Sequence, residues 1–227
     1  MARRALRSAV SRVCPVSAAS QCLCGVLILL LAAAPAVANG VTVSTHANEA
    51  PADIAAPVKA LLAPGGATAK VGENTIEFWW VKSLESKSKD WSGVGEGSLV
   101  GAMKISAPFR DIRGRTLKGG TYLLRYGLQP QNGDHLGVSP HREFLLATPA
   151  AEDLSPESLG HEGAVDLAKK SIGISHPAVL SLDPPVSTAS PLTVAQTDAG
   201  HTAVTFEVPT SQGPLKFGLV LVGLIEA

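Results

Sequence analysis

From residue 67 onward the chain alternates apolar and polar positions with a period of two, interrupted at Gly, Pro, Asn and Asp. That is the pattern of half-buried strands bounded by turns. Over 75–82, Ile76, Phe78 and Trp80 share one face while Glu77, Trp79 and Val81 share the other. Over 99–106, Leu99, Gly101, Met103 and Ile105 oppose Ala102, Lys104 and Ser106. Tyr122, Leu124, Tyr126 and Leu128 make an apolar face, which assigns Leu124 to the core and Arg125 to an opposite face where replacement is expected to cost little. Val204, Phe206 and Val208 alternate with Thr205 and Glu207, and segments 144–147, 179–182, 192–195 and 216–224 complete the strand set. The last is apolar on both faces, as expected in the middle of a sheet. The predicted fold class is mainly β, an immunoglobulin-like or related Greek-key β-sandwich.

One short helix is predicted in a connection, over 162–172, where Val165, Ala168 and Ile172 recur at helical spacing. Glu162 and Asp166 sit early, Lys169 and Lys170 sit late and Gly173 follows, an order that suits the helix dipole and a C-terminal cap. Ahead of the strands, 39–66 reads as a loosely ordered leader containing a possible helix over 53–62, with Ile54, Val58, Leu61 and Leu62 on one side. At Leu117-Lys118-Gly119-Gly120-Thr121-Tyr122 a glycine turn delivers the chain into a strand. Tyr122 is placed to bond backward across that loop, as in a tyrosine corner.

The first 38 residues read as an export signal. Arg3, Arg4, Arg7 and Arg12 precede the apolar run 26–34, and Ala36-Val37-Ala38 supplies a small-x-small cleavage motif. The run is shorter than the roughly 20 residues of a membrane span and stops at Pro35. The expected mature protein starts near Asn39, works in the periplasm or outside the cell and has no transmembrane segment, with 67–227 as a single β-sandwich domain. Cys14, Cys22 and Cys24 all lie in the signal, so the mature chain has no cysteine for a disulfide, thiol catalysis or an iron–sulfur cluster. The signal also holds four of the 19 basic residues and none of the 19 acidic ones, leaving a net charge of about −4. Without a clustered basic face, a nucleic-acid partner is not expected.

The segment nearest to chemistry is the polar loop 133–142, Gly-Asp-His-Leu-Gly-Val-Ser-Pro-His-Arg. Asp134, His135 and His141 offer one oxygen and two nitrogens to a divalent metal such as zinc, and His161, His176 or His201 can complete the shell. The plainer reading, a turn in which Asp134 caps and the histidines bond backbone groups, is the favoured one, so no cofactor is predicted. Other catalytic patterns fail. Gly137-Val138-Ser139-Pro140-His141 has His where a nucleophile elbow needs its closing glycine. Gly93-Val94-Gly95-Glu96-Gly97-Ser98 lacks the lysine of a phosphate loop and reads as a mobile hairpin. Trp79 and Trp91 are candidate ligand-stacking residues, because flat aromatic faces on a β-sandwich suit a glycan. Trp79 and Trp80 are adjacent in a strand and point to opposite faces, so one core cannot hold both.

The runs Phe109-Arg110-Asp111-Ile112-Arg113-Gly114, Gly120-Thr121-Tyr122-Leu123-Leu124-Arg125-Tyr126, Gln129-Pro130, Gly133-Asp134-His135-Leu136-Gly137 and Phe144-Leu145-Leu146 leading to Pro149-Ala150 together resemble a family of exported bacterial proteins of unknown function. The resemblance extends over roughly 98–227 and implies an envelope location but no catalytic residue. The resulting expectation is a binding or structural module whose partner is an envelope protein or a glycan. A metal-dependent hydrolase centred on Asp134, His135 and His141 is the alternative.

Overall fold

The computed structural model describes residues 40–131, 141–173, 175–187 and 190–223, together with the backbone of 36–38. The predicted signal before residue 36 lies outside these. Among the described residues, eleven strands form one antiparallel sheet: β1 (Ala36–Ala38), β2 (Val41–His46), β3 (Gly66–Val71), β4 (Asn74–Trp80), β5 (Leu99–Ile105), β8 (Gly120–Leu128), β9 (Glu143–Pro149), β10 (Val179–Asp183), β13 (Leu215–Val222), β12 (Thr202–Val208) and β11 (Val194–Gln196), in that spatial order. A separate hairpin pairs β6 (Phe109–Arg110) with β7 (Thr116–Leu117). Every strand read from the alternation is present, and β13 is central, as its two apolar faces require. No helix among the described residues is long and apolar enough to cross a membrane.

The order β10-β13-β12-β11 is a Greek key. It joins the meander before it because β10 changes partner along its length. Val179, Leu180 and Ser181 pair with β9, then Leu182 and Asp183 pair with β13. The result is one curled sheet rather than two separate ones, and β1 and β2 come back close to β11. Its facing halves pack as in a sandwich. Phe78 and Trp80 of β4 meet Phe206 of β12 at ring-centroid distances of 5.2 and 4.9 Å, and Trp80 meets Phe217 of β13 at 5.3 Å. Aromatic contacts of this kind add about 0.5–1.5 kcal/mol per pair beyond the area they bury.

The leader expectation is corrected. Val41 and Val43 are buried and β2 pairs along its whole length with β3, so the ordered fold begins well before residue 67. Two apolar positions carry too weak a signal for a strand that is specified by its partner's register. β1 adds three more pairs to β2, so cleavage after Ala38 would expose that edge. The predicted leader helix is present but short, α1 (Ala56–Lys59). Its flank buries Ile54, Val58 and Leu62 and leaves Leu61 exposed.

The outer face of the sheet is covered in pieces. Asn48 accepts a hydrogen bond from Trp79 Nε1 at 2.9 Å through its carbonyl, so the segment after β2 roofs Trp79. Helix α2 (Gly160–Lys170) packs Ala164 and Ala168 on Leu146 of β9. Its C-terminal turn closes as predicted, with Gly173 at φ 71° donating to the Lys169 carbonyl. The base of the β6–β7 hairpin, Phe109 and Leu117, joins the main core, while Ile112 at its tip packs on Ala203 and Val220 outside β12 and β13. The tyrosine corner forms too, with Tyr122 Oη donating to the Lys118 carbonyl at 2.9 Å.

Arg125 overturns a second expectation. Its side chain does lie opposite Leu124 and Tyr126, but it is fully buried. Nε and Nη2 donate to the two Asp153 oxygens at 2.6 and 2.7 Å, and the remaining donors reach the carbonyls of Gly97, Glu157 and Ser155 at 2.8, 2.8 and 2.6 Å. All five guanidinium donors are therefore used. Asp153 also accepts from Thr148 Oγ1. This node ties β8 to the chain that leads into α2. It also fixes the turn read as a mobile hairpin: Gly97 is buried at φ 78°, and an added Cβ would meet the Gly160 backbone at 2.4 Å.

Leu124→Ala is expected to cost about 2–5 kcal/mol by leaving a core cavity. Arg125→Ala should cost a comparable 3–5 kcal/mol or so, because Asp153 is left buried without its counter-charge. Chemical denaturation of both variants measures this; an Arg125→Ala variant as stable as wild type would contradict the node.

Candidate functional site

Among the described residues, the three outer covers leave a gap. Between α2 and the β6–β7 hairpin the outer face of β9 and β10 stays open, forming a cavity of about 250 Å³. Phe144 and Ser181 stand opposite each other in register and, with Val179, form its floor. One wall is a stripe of α2, His161, Val165 and Lys169, spaced four residues apart so that they share a face. Helical spacing grouped Val165 with Ala168 and Ile172; in the fold Ala164 and Ala168 take the sheet and Val165 is half-buried at the cleft. The opposite wall is Ile112, Arg113 and Arg115 of the hairpin with His176 and Pro177, and Gln129, Pro130, His141 and the carboxylate-bearing Glu143 complete the lining.

The hairpin tip is held by Asp111, whose Oδ1 accepts from the amides of Arg113 and Arg115 at 2.9 and 2.8 Å. Such an Asp turn aims the two following arginines. Arg115 Nη1 donates to the Pro177 carbonyl at 3.2 Å, fastening the hairpin to the neighbouring segment of the same wall. Arg113 makes no side-chain hydrogen bond or ion pair with any described residue. Burial and the neighbouring Arg115 charge both push its pKa down, opposed by Asp111, so its positive charge is under-compensated. A guanidinium remains charged in such a place. Lys169 pairs with Asp166 at 2.9 Å on the exposed rim. His161 Nδ1 bonds Glu96, whose carboxylate also accepts from the Leu128 amide at 3.1 Å; the ring is thereby oriented, with Nε2 as its other polar atom.

The predicted site residues separate. Trp79 is buried beneath the segment after β2, tilted against His46 at a centroid distance of 5.1 Å, and is not a ligand platform. The alternation assigned its face correctly; the roof over that face comes from the segment read as a loosely ordered leader. Trp91 lies face to face with Tyr126 at 4.9 Å and edge-on to Phe217, half-buried, bordering a recess of about 140 Å³. Asp134 and His135 lie outside the described residues. His141 lines the cleft and also a neighbouring recess of about 450 Å³ bordered by Asp183 and Thr197. That recess is larger, but polar turn residues and prolines line it and no cationic cluster converges there. Of the three auxiliary histidines, His161 and His176 join His141 in the cleft, whereas His201 is buried beside Asp183 at 3.4 Å. No group of three metal-ligating side chains is assembled among the described residues. Sequence reasoning gave Arg113, Arg115 and Lys169 no binding role: Arg113 entered only in the 109–114 run and Lys169 only as a charge near the helix end.

Burial raises the pKa of the Asp111 carboxyl, against the lowering effect of the Arg115 and Arg113 amides and the Arg115 charge. The folded value lies above the unfolded one, so the protonated acid favours folding. That contribution is lost as pH rises from the ordinary carboxylate range through the raised value. Asp111→Asn keeps an oxygen for the two amides and removes the titration. Its stability relative to wild type should therefore increase with pH across that window, read from denaturation midpoints at several pH values; a difference independent of pH would show that the charge carries no penalty.

Comparison with known proteins gives no support from likeness: no family model, curated protein or solved structure matches this chain.

Proposed function

We propose that this protein is an exported binding module of the cell envelope, and that it binds an anionic ligand in the cleft between α2 and the β6–β7 hairpin. The observation that carries the reading is Arg113, a half-buried guanidinium without a carboxylate partner among the described residues, beside Arg115 in a concave site. An anion seated there relieves the repulsion between the two arginines and supplies the counter-charge. Location in the envelope rests on the signal features of the first 38 residues. The lining pairs cationic side chains with hydrocarbon, and binding is the function it supports best.

Two measurements test this. Inorganic phosphate, titrated by amide NMR at low ionic strength, should shift resonances of 111–115 and 161–169. Arg113→Gln should weaken that binding about tenfold or more, the scale of one charged hydrogen bond, without moving the denaturation midpoint. Unchanged affinity in the variant removes the site. Separately, mass spectrometry of the envelope fraction should find a chain beginning at Asn39, and an intact N-terminus in the membrane pellet would overturn the exported, processed form.

A further inference from the structure

The cleft is not uniform along its length. Arg115 is fastened to Pro177, and Lys169 is near the end of α2, so positive charge gathers where the helix terminates. His161, eight residues earlier on the same stripe, stands about 12 Å away by the helical rise. Between them the surface is hydrocarbon: Phe144 and Val179 on the floor, Val165 on the helix and Ile112 on the hairpin. Phe144, Val165 and Val179 are half-buried and pack on the small cluster beneath α2, so they keep part of their surface in water. A bare inorganic anion would use only the cationic end and leave that surface wet. Covering it is favourable in proportion to the apolar area removed from water.

We infer that the ligand is an amphiphilic anion, with one carboxylate or phosphate head at Arg113 and Arg115 and a hydrocarbon body lying across Val165, Phe144 and Val179. This rests on the reading of the cleft as an anion site and names its ligand class. The cavity of about 250 Å³ suits a small body, not a long lipid chain. Arg113, Arg115 and Lys169 outnumber the one lining carboxylate, Glu143, and favour an anionic over a cationic head.

The experiment is a titration of the folded mature protein with acetate, butanoate, hexanoate and octanoate at fixed ionic strength. Octylammonium serves as the charge control and phosphatidylglycerol vesicles as the lipid-surface control. Affinity should rise about two- to fourfold per added methylene, as expected for partial to full burial of each group. Octylammonium and vesicles should not bind. Arg113→Gln should weaken every carboxylate by a similar factor, whereas Val165→Ser should flatten the dependence on chain length and leave acetate unchanged. A flat series with phosphate still bound overturns the amphiphile and leaves the anion site standing. Loss of phosphate and acetate alike removes the anion site itself. Co-sedimentation with vesicles in the absence of octanoate binding replaces the free ligand with a membrane surface, and octylammonium binding as tightly as octanoate overturns the assignment of charge.

Discussion

The buried ion pair of Arg125 and Asp153 organises this molecule. Arg125 sits in the middle of β8, and every donor of its guanidinium is taken, two by Asp153 and three by backbone carbonyls of Gly97, Ser155 and Glu157. Burying two charges costs several kcal/mol of desolvation, and such pairs offset it only when geometry and the remaining hydrogen bonds are complete. Here they are complete. The consequence is positional: the carbonyls that Arg125 collects belong to the turn before β5 and the irregular chain ahead of α2, neither of which has a regular ladder of its own. Without the guanidinium the Ser155 and Glu157 carbonyls lose the donors that draw them to β8, and the Gly97 carbonyl keeps only the Leu159 amide.

From that node the site follows. The Asp153 segment delivers the chain to Gly160, where α2 starts against Gly97, and α2 then lays Ala164 and Ala168 on Leu146. Small residues at those two positions let the helix lie close to the sheet, which turns the stripe of His161, Val165 and Lys169 sideways toward the hairpin. The hairpin is fixed independently, by Ile112 outside β12 and β13 and by Asp111 under its tip. Two rigid covers resting on different strands leave the floor between them open. A binding cleft here is a gap in the outer layer, not a cavity in the core.

The core explains why the outer layer can be interrupted. Phe78, Trp80, Phe206 and Phe217 fill the interior of the curled sheet, and β10 carries the sheet around the corner by pairing first with β9 and then with β13. Because the strands are satisfied on the inside and in their ladders, the outer face needs cover only where it is strongly apolar. Trp79 is such a place and is roofed; the Phe144 and Val179 floor is only partly covered.

Period-two alternation by itself determined β4, β5 and β8 to β13, their inward faces and the interior place of β13, because one buried face imposes that period wherever the strand lies in the sheet, whereas β1 to β3 and the β6–β7 hairpin were not read from it. The glycine turn before Tyr122 determined the corner bond, since tyrosine and acceptor are only four residues apart. What alternation cannot carry is the environment of the other face. It placed Arg125 opposite the core but had no access to the loop that buries it, and it placed Trp79 opposite Trp80 without knowing that a segment with two apolar positions would pair with β3 and cover it. The cleft was equally out of reach: Arg113, Lys169 and Phe144 are up to 56 residues apart in the chain. Only the packing of α2 and the hairpin on neighbouring strands brings them together, and that packing is decided by long-range contacts that no local period encodes.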